Sequence, residues 1–152
     1  MDQESLQAKI QALLPEAEFV ENKQYVDFIV PEEKMLKACK VLTENDELAL
    51  DYLISLTAVD WKTHFMVVYH INSSRHNHTV VMKVKADREN PVVNTVCKVW
   101  PTAEFHERET FDMFGIHFRN HPDMRRIFLD ETDIIGYPLR KDFVDDINII
   151  QR

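Results

Sequence analysis

Residues 50–85 read LDYLISLTAVDWKTHFMVVYHINSSRHNHTVVMKVK, and apolar side chains recur in this stretch at every second position. A period of two is typical of β-strands that bury one face. The pattern predicts three strands, with turns at residues 60–63 and 72–77. The predicted buried faces carry Leu50, Tyr52, Ile54, Leu56 and Ala58 on the first strand, Phe65, Val67, Tyr69 and Ile71 on the second, and Val80, Met82 and Val84 on the third.

The sequence before these strands predicts two helices and a hairpin. Residues 4–14 place leucine and isoleucine at helical spacing and end at Pro15. Residues 18–20 and 24–30 form a predicted hairpin, and Pro31 begins a helix to about residue 43. The predicted fold class is therefore α+β: a two-layer domain with helices on one face of a mostly antiparallel sheet, in the order α-β-β-α-β-β-β.

The sequence after the strands predicts two more helices and then an arm. Asn90-Pro91 is predicted to start a helix that presents Val93, Val96, Cys97 and Trp100 on one side. A charged helix should follow from Thr102 and end at Gly115, because glycine suits the left-handed position after a helix. No period is evident from Ile116 onward. Residues 1–115 are thus predicted to form the domain, and residues 116–152 an extended C-terminal partner-binding arm.

Composition narrows the function classes. The chain has 152 residues and a net charge of −8, and it has no basic stripe, which argues against nucleic-acid binding. No apolar run approaches the roughly 18 residues of a membrane span, and the polar start of the chain does not predict a secretory signal. Two glycines leave no phosphate-binding glycine loop. Two cysteines far apart in sequence favour a reducing compartment.

Residues 100–143 hold five of the eight arginines but only one of the ten lysines. Arginine beside carboxylates and aromatic rings is typical of protein contacts. In the charged helix, Glu104, Arg108 and Asp112 follow at i,i+4 and predict a ladder of ion pairs. Glu107 falls on the apolar face, so it is expected to have an arginine or backbone partner. A general acid or base at Glu107 is the alternative.

Metal ligation finds little support in the spacing of histidines and cysteines. His117 and His121 stand at i,i+4, but Gly115 and Pro122 disfavour a helix there. His76 and His78 are expected to be polar residues of a hairpin. Cys39 and Cys97 are expected to pack in the core. The sequence therefore predicts no catalytic, cofactor-binding or metal-binding residue.

Three ordered blocks carry a family resemblance. Residues 107–115, ERETFDMFG, closely resemble the signature of the 30-kDa subunit family of respiratory complex I, which is the C subunit of the bacterial proton-pumping NADH:quinone oxidoreductase. Residues 121–127, HPDMRRI, and 137–143, YPLRKDF, are similar to its next two blocks. Residues 57–61 and 68–70 also look like parts of this family.

The resemblance implies a structural subunit without a cofactor of its own, in the peripheral arm on the cytoplasmic side of the bacterial inner membrane. Its partners would be the large hydrogenase-like quinone-site subunit and the iron–sulfur subunits, with iron–sulfur clusters, flavin and quinone all held by partner subunits. It would touch the membrane only through the complex. The expected structural and partner-binding residues are Glu107, Arg108, Glu109, Asp112, Phe114, Gly115, His121, Pro122, Arg125, Arg126, Pro138, Leu139, Arg140, Lys141 and Asp142.

Three alternatives remain at this point. The chain could be the equivalent subunit of a membrane-bound hydrogenase or a related dehydrogenase. It could be a free-standing enzyme that uses Glu107 or Glu109 as acid or base. It could also be an isolated binding module with an ordered C-terminus.

Overall fold

A computed structural model describes residues 1–130 and 134–145 of the chain. It contains the predicted first helix, hairpin, second helix and three long strands in the predicted order. The helices are α1 Gln3–Leu13, α2 Met35–Glu44, which follows the 3-10 turn Glu32–Lys34, and α3 Ala103–Phe114. The strands are β1 Glu18–Val20, β2 Val26–Val30, β3 Tyr52–Asp60, β4 His64–Asn72, β5 Thr79–Asp87, β6 Val92–Asn94 and β7 His117–Arg119.

The main sheet has five strands in the order β1-β2-β5-β4-β3. All neighbours are antiparallel except β2 and β5, which run parallel with Val26 opposite Val80. The three helices pack on one face, where their apolar side chains form a single core with the inward residues of β2 to β5. The predicted two-layer α+β class is confirmed.

A β-bulge in β3 corrects the predicted face of that strand. Leu53 pairs with Ile71, but Ser55 then pairs with His70, so Ile54 is an extra residue. Because one extra residue reverses the side that the following residues face, Leu53 and Leu56 are both buried. The prediction was wrong for Tyr52 and Ile54, which are exposed.

The predicted helix from Asn90 to Trp100 is also wrong. Val92–Asn94 instead form β6, which pairs in parallel with β7. Two successive β-branched valines suit a strand better than a helix, and the carbonyl of Pro91 accepts the N–H of His117 over 2.9 Å. Trp100 is buried as expected, and its Nε1 donates to the carbonyl of Leu50 over 3.0 Å.

The packed body of the chain continues past Gly115. Ile116 and Phe118, which the sequence placed at the start of the arm, are buried in the core, and β7 completes the small second sheet. In the described parts of residues 120–145, here called the arm, no helix or strand forms. No helix within residues 1–130 and 134–145 has the length and apolarity needed to cross a membrane.

Candidate functional site

The end of α3 lies in close contact with the arm. Gly115 adopts φ 74°, and its N–H donates to the carbonyl of Phe111 over 2.7 Å. A Cβ built on Gly115 would lie 2.5 Å from Cε2 of Tyr137 and 2.8 Å from a guanidinium nitrogen of Arg140. The helix end therefore requires glycine for two reasons, the left-handed backbone and the close approach of the arm.

Asp112 organises the first turn of the arm. Its Oδ2 accepts the backbone N–H groups of three successive residues, Ile127 at 3.3 Å, Phe128 at 2.8 Å and Leu129 at 3.1 Å. Its Oδ1 lies 3.6 Å from Nε of Arg126. The carboxylate is fully buried, so these amides and the guanidinium replace the water that a buried charge loses.

Arg108 holds the arm from the same helix. Its Nε donates to the carbonyl of Arg125 over 3.0 Å, and a terminal nitrogen donates to the carbonyl of Arg126 over 3.2 Å. The predicted ladder of ion pairs through Glu104, Arg108 and Asp112 was wrong: no ion pair among the described residues joins these three. The backbone of the arm supplies the partners instead, because the arm covers this side of the helix and presents its own amides and carbonyls to Arg108 and Asp112.

Glu107 is the central buried carboxyl of the site, with no exposed surface. Its Oε2 accepts the hydroxyl of Thr95 over 2.6 Å, and its Oε1 accepts the N–H of Val96 over 2.8 Å. Burial raises the pKa of Glu107, and the hydrogen bonds from Thr95 and Val96 oppose that shift. The expectation of a backbone partner is confirmed. Because the carboxyl is sealed from solvent, it is poorly placed to exchange a proton with a substrate.

Cys97, Glu107 and His121 place three potential metal ligands within 4.8 Å of one another. Nδ1 of His121 accepts the N–H of Asp123 over 2.9 Å, which leaves Nε2 as the protonated nitrogen facing the carbonyl of Glu104 at 3.0 Å. Burial raises the pKa of the Cys97 thiol to about 12, and its Sγ lies 3.2 Å from Glu107. A metal ion would have to displace the proton on Nε2 of His121 and the proton of the Cys97 thiol. The geometry therefore favours a hydrogen-bonded cluster.

The second half of the arm is held by stacked arginines. The guanidinium carbon of Arg140 lies 4.7 Å from the ring centroid of Tyr137 and 5.1 Å from that of Phe65. The guanidinium of Arg126 also lies over the Tyr137 ring, 5.1 Å from its centroid. Nε of Arg140 donates in addition to the carbonyl of Phe114 over 2.6 Å. Cation–π stacking on these rings helps to hold this half of the arm against the rest of the chain.

Asp60 anchors the far end of the arm. It is buried at the last position of β3, and its Oδ2 accepts the N–H of Lys141 over 2.8 Å. It also pairs with Arg88, whose second nitrogen lies 3.2 Å from Asp142. Burial raises the pKa of Asp60, but the backbone N–H groups of Lys141 and Lys62 and the charge of Arg88 outweigh it and leave the pKa lowered.

The predicted site residues fall into two groups. Buried or half-buried are Glu107, Arg108, Asp112, Phe114, Gly115, His121, Arg126, Pro138 and Arg140. Solvent reaches the others: Glu109, Pro122, Arg125, Leu139, Lys141 and Asp142. Sequence reasoning did not single out Asp60 and Arg88 as site residues. The signal available for Asp60 was an acid at a position that alternation places on the core face of β3.

The outer surface of the arm exposes large apolar side chains. Phe105 on α3 and Phe128, Ile135, Leu139 and Val144 on the arm are all more than half exposed. An open groove of about 670 Å³ runs between α3 and the first turn of the arm, and its walls include Phe111, Met124 and Phe128. Arg125 also lines this groove. Exposed aromatic and aliphatic groups beside arginine are typical of protein interfaces.

Residues 28–146 match the family described as the 30 Kd subunit of respiratory-chain NADH dehydrogenase. This chain is of the class of complex I-type subunits, as the family match and the fold indicate. It belongs to the 30-kDa subunit family of respiratory-chain NADH dehydrogenase, which confirms the resemblance seen in the sequence.

Three of the relatives that match this chain are named as subunits of NADH-quinone oxidoreductase. The NADH-quinone oxidoreductase C subunit of Roseiflexus castenholzii is 38% identical over 147 residues, which cover 93% of this chain and 84% of the relative. The C subunit of Geotalea uraniireducens is 42% identical over 78% of this chain and 72% of its own length. In Phocaeicola vulgatus the matching protein is a C/D subunit, 40% identical over 78% of this chain and only 23% of that longer protein.

Two solved structures share the fold. A chain from the membrane-bound sulfane sulfur reductase, an archaeal respiratory membrane complex, superposes with a TM-score of 0.80 at 28% identity, covering 95% of this chain and 86% of that one. A trypsin-resistant fragment of Nqo5 has a TM-score of 0.68 at 24% identity and covers 81% of this chain and 99% of the fragment. The second likeness supports the fold alone.

Proposed function

We propose that this chain is a non-catalytic structural subunit in the peripheral arm of a proton-pumping NADH:quinone oxidoreductase. It docks on the large quinone-site subunit and on neighbouring iron–sulfur subunits, on the cytoplasmic side of the bacterial inner membrane. The family match and the naming of its relatives as C subunits support this assignment.

The observation that carries the proposal is the contrast between the two sides of the arm. Its inner side is fixed by Asp112, Arg108 and Asp60 through hydrogen bonds and ion pairs. Its exposed side chains include Phe128, Leu139 and Arg125, and Phe128 and Arg125 line the same groove. A segment that is rigid on the inside and apolar on the outside is suited to hold a partner, because little conformational entropy is lost when the partner binds.

A scaffold of this kind needs no redox group of its own. Iron–sulfur clusters, flavin and quinone are held by the partner subunits, and this chain fixes the distances between them. The buried position of Glu107 does not support the alternative of a free-standing acid/base enzyme.

Co-purification tests the assignment directly. An affinity tag on this chain, expressed with the other subunits of its complex, should recover the large subunit and iron–sulfur subunits in fixed ratio. The isolated chain should be colourless and inactive with NADH and quinone. Recovery of the chain alone, or flavin or iron bound to it in one-to-one ratio, would contradict the proposal.

A second candidate is the equivalent subunit of a related respiratory membrane complex. The superposition on a chain of the archaeal sulfane sulfur reductase complex, at a TM-score of 0.80, favours keeping it. The same purification distinguishes the two, because the electron donor accepted by the recovered complex identifies which kind it is.

A further inference from the structure

The two edges of the main sheet are built differently. At one edge β1 is three residues long and begins with Glu18, so it offers a short charged strand. At the other edge β3 is nine residues long, and in the part of the chain that the structure describes β4 is its only pairing partner. Natural proteins protect exposed edges with short strands and charged side chains, because an open edge pairs with other chains. Only the β1 edge is protected in this way.

Strand β3 carries no charge before its last residue, Asp60, which is buried. Every other strand of this sheet has an acid, a base or a histidine, such as Glu18, Asp27, His70 and Lys83. The bulge at Ile54 disturbs the start of β3, but Ser55–Asp60 pair with β4 in unbroken register. Six regular residues with an open backbone edge are enough to accept another strand.

The side chains that flank this edge are apolar. Tyr52, Ile54 and Val59 are between 39% and 53% exposed, and Trp61, just past the end of the strand, is 57% exposed. Among the described hydrogen bonds outside regular pairing, none is made by the backbone of Ser55–Val59. Within residues 1–130 and 134–145, the edge is therefore open both in its backbone groups and in its side chains.

We propose that the β3 edge is a docking site for an extended, uncharged segment of a partner subunit, which adds a sixth strand beside Ser55–Asp60. The proposal rests on the proposed function, since it assigns a second contact to the same subunit. The site continues from the arm, because the N–H of Lys141 is bound to Asp60 at the end of β3.

Charge decides which occupant fits. A second copy of this chain would bring its own net charge of −8 against another −8, which opposes pairing between identical chains. A segment of alternating apolar and β-branched residues from a different chain meets no such repulsion. Its side chains would lie on Thr57 and Val59, and its amides and carbonyls would take up those of the open edge.

Two matched lysine substitutions test the proposal. Val59 and Val20 are 39% and 41% exposed, and they lie on opposite edge strands of the same sheet. In the affinity-purified complex, Val59→Lys should weaken partner retention roughly tenfold or more, because a lysine would meet an uncharged segment. Val20→Lys should retain partners as the wild type does. Equal retention by the two variants would overturn the proposal.

Hydrogen exchange tests the same site without a substitution. In the wild-type complex, the amides on the outer edge of Tyr52–Asp60 should exchange at least about tenfold more slowly than in the isolated chain. Unchanged exchange in an intact complex would refute the added strand while leaving the proposed function standing. A wild-type chain that recovers no partner would instead refute the proposed function.

Sedimentation of the isolated chain tests the other possible occupant of the β3 edge, a second copy of this chain. The chain should sediment as a monomer with or without Val59→Lys. A wild-type dimer that Val59→Lys dissociates, in a complex that is unaffected, would assign the edge to a second copy and reject the partner segment.

Discussion

The backbone N–H of Lys141 donates to Oδ2 of Asp60 over 2.8 Å, although the two residues are 81 positions apart. This bond joins the arm to the end of the edge strand β3. Arg88 reinforces it, because the guanidinium binds Asp60 with one nitrogen and Asp142 with another. A hydrogen bond and two ion pairs thus join the sheet to the arm at this corner of the molecule.

Replacing Asp60 with asparagine should weaken the contact between the arm and the end of β3. Removing one partner of a buried ion pair costs about 3–5 kcal/mol, and because Asn keeps one acceptor oxygen we expect a loss of roughly 2–4 kcal/mol in the free energy of unfolding at pH 7. Since the folded pKa of Asp60 is lowered, its contribution is present above the unfolded value near 3.8 and is lost as pH falls through the folded pKa. Urea unfolding at pH 7 and near pH 3 measures both effects. Asp87→Asn, on an exposed carboxyl at the end of β5, is the control, and a deficit as large in acid as at pH 7 would argue against the ion pair.

Arg125 and Arg126 should behave differently when each is changed to alanine. The side chain of Arg126 is 13% exposed, and it donates to the carbonyl of Gly136 over 3.2 Å and stacks on Tyr137. The side chain of Arg125 is 78% exposed and pairs with nearby Asp123, at 2.6 Å. Arg126→Ala should lower the free energy of unfolding by about 2–3 kcal/mol and expose the arm to trypsin. Arg125→Ala should leave stability almost unchanged, because an exposed ion pair is screened by solvent. It should weaken partner retention instead, so each variant controls for the other in thermal melts and pull-downs.

Glu107→Gln should change how stability depends on pH. The folded pKa of Glu107 is raised, so the fold favours its protonated form. That contribution is fully present below the unfolded value of 4.5 and is lost as pH rises through the folded pKa. The wild type should therefore lose stability over this range, and the glutamine variant should lose less. Denaturant unfolding between pH 4 and 8 would detect the difference, with the exposed Glu109→Gln as the control; identical pH profiles for all three proteins would contradict the assignment.

Gly115→Ala should be more harmful than Gly136→Ala, although both glycines have positive φ, 74° and 99°. Both substitutions cost about 1 kcal/mol for the left-handed backbone. At Gly115 the new methyl would also displace the ring of Tyr137, whereas at Gly136 it would lie an ordinary 3.6 Å from Phe143. We expect total losses of roughly 2–3 and 1 kcal/mol. Similar melting temperatures for the two variants would show that the ring of Tyr137 can move away from the new methyl at little cost.

The sequence was sufficient for features that depend on local patterns. Alternation at Phe65, Val67, Tyr69 and Ile71 predicted the buried face of β4, and Gly115 predicted the end of α3, because both signals come from neighbouring residues. The bulge at Ile54 could not be predicted, since an extra residue in a strand is defined only by its partner strand.

The contacts of the site depend on residues that are distant in sequence. Thr95 and Val96 reach Glu107 because β6 pairs with β7. This pairing is parallel, so no tight turn between the two strands predicts it from the sequence. Asp112 looked like a member of a helix-surface ladder, because spacing along a helix does not reveal which chain will cover it. The importance of α3 was predictable, but its partners were not.

The parallel pairing of β2 with β5 affects the order in which the molecule can be made. The hairpins β3–β4 and β4–β5 join neighbours in sequence and can close early, whereas β2 must wait until α2, β3, β4 and β5 have all been synthesised. During translation, α1 and the β1–β2 hairpin therefore leave the ribosome before the strand that β2 pairs with in the sheet. Their apolar residues, among them Leu6 and Phe28, are then open to chaperones until residue 87 has emerged.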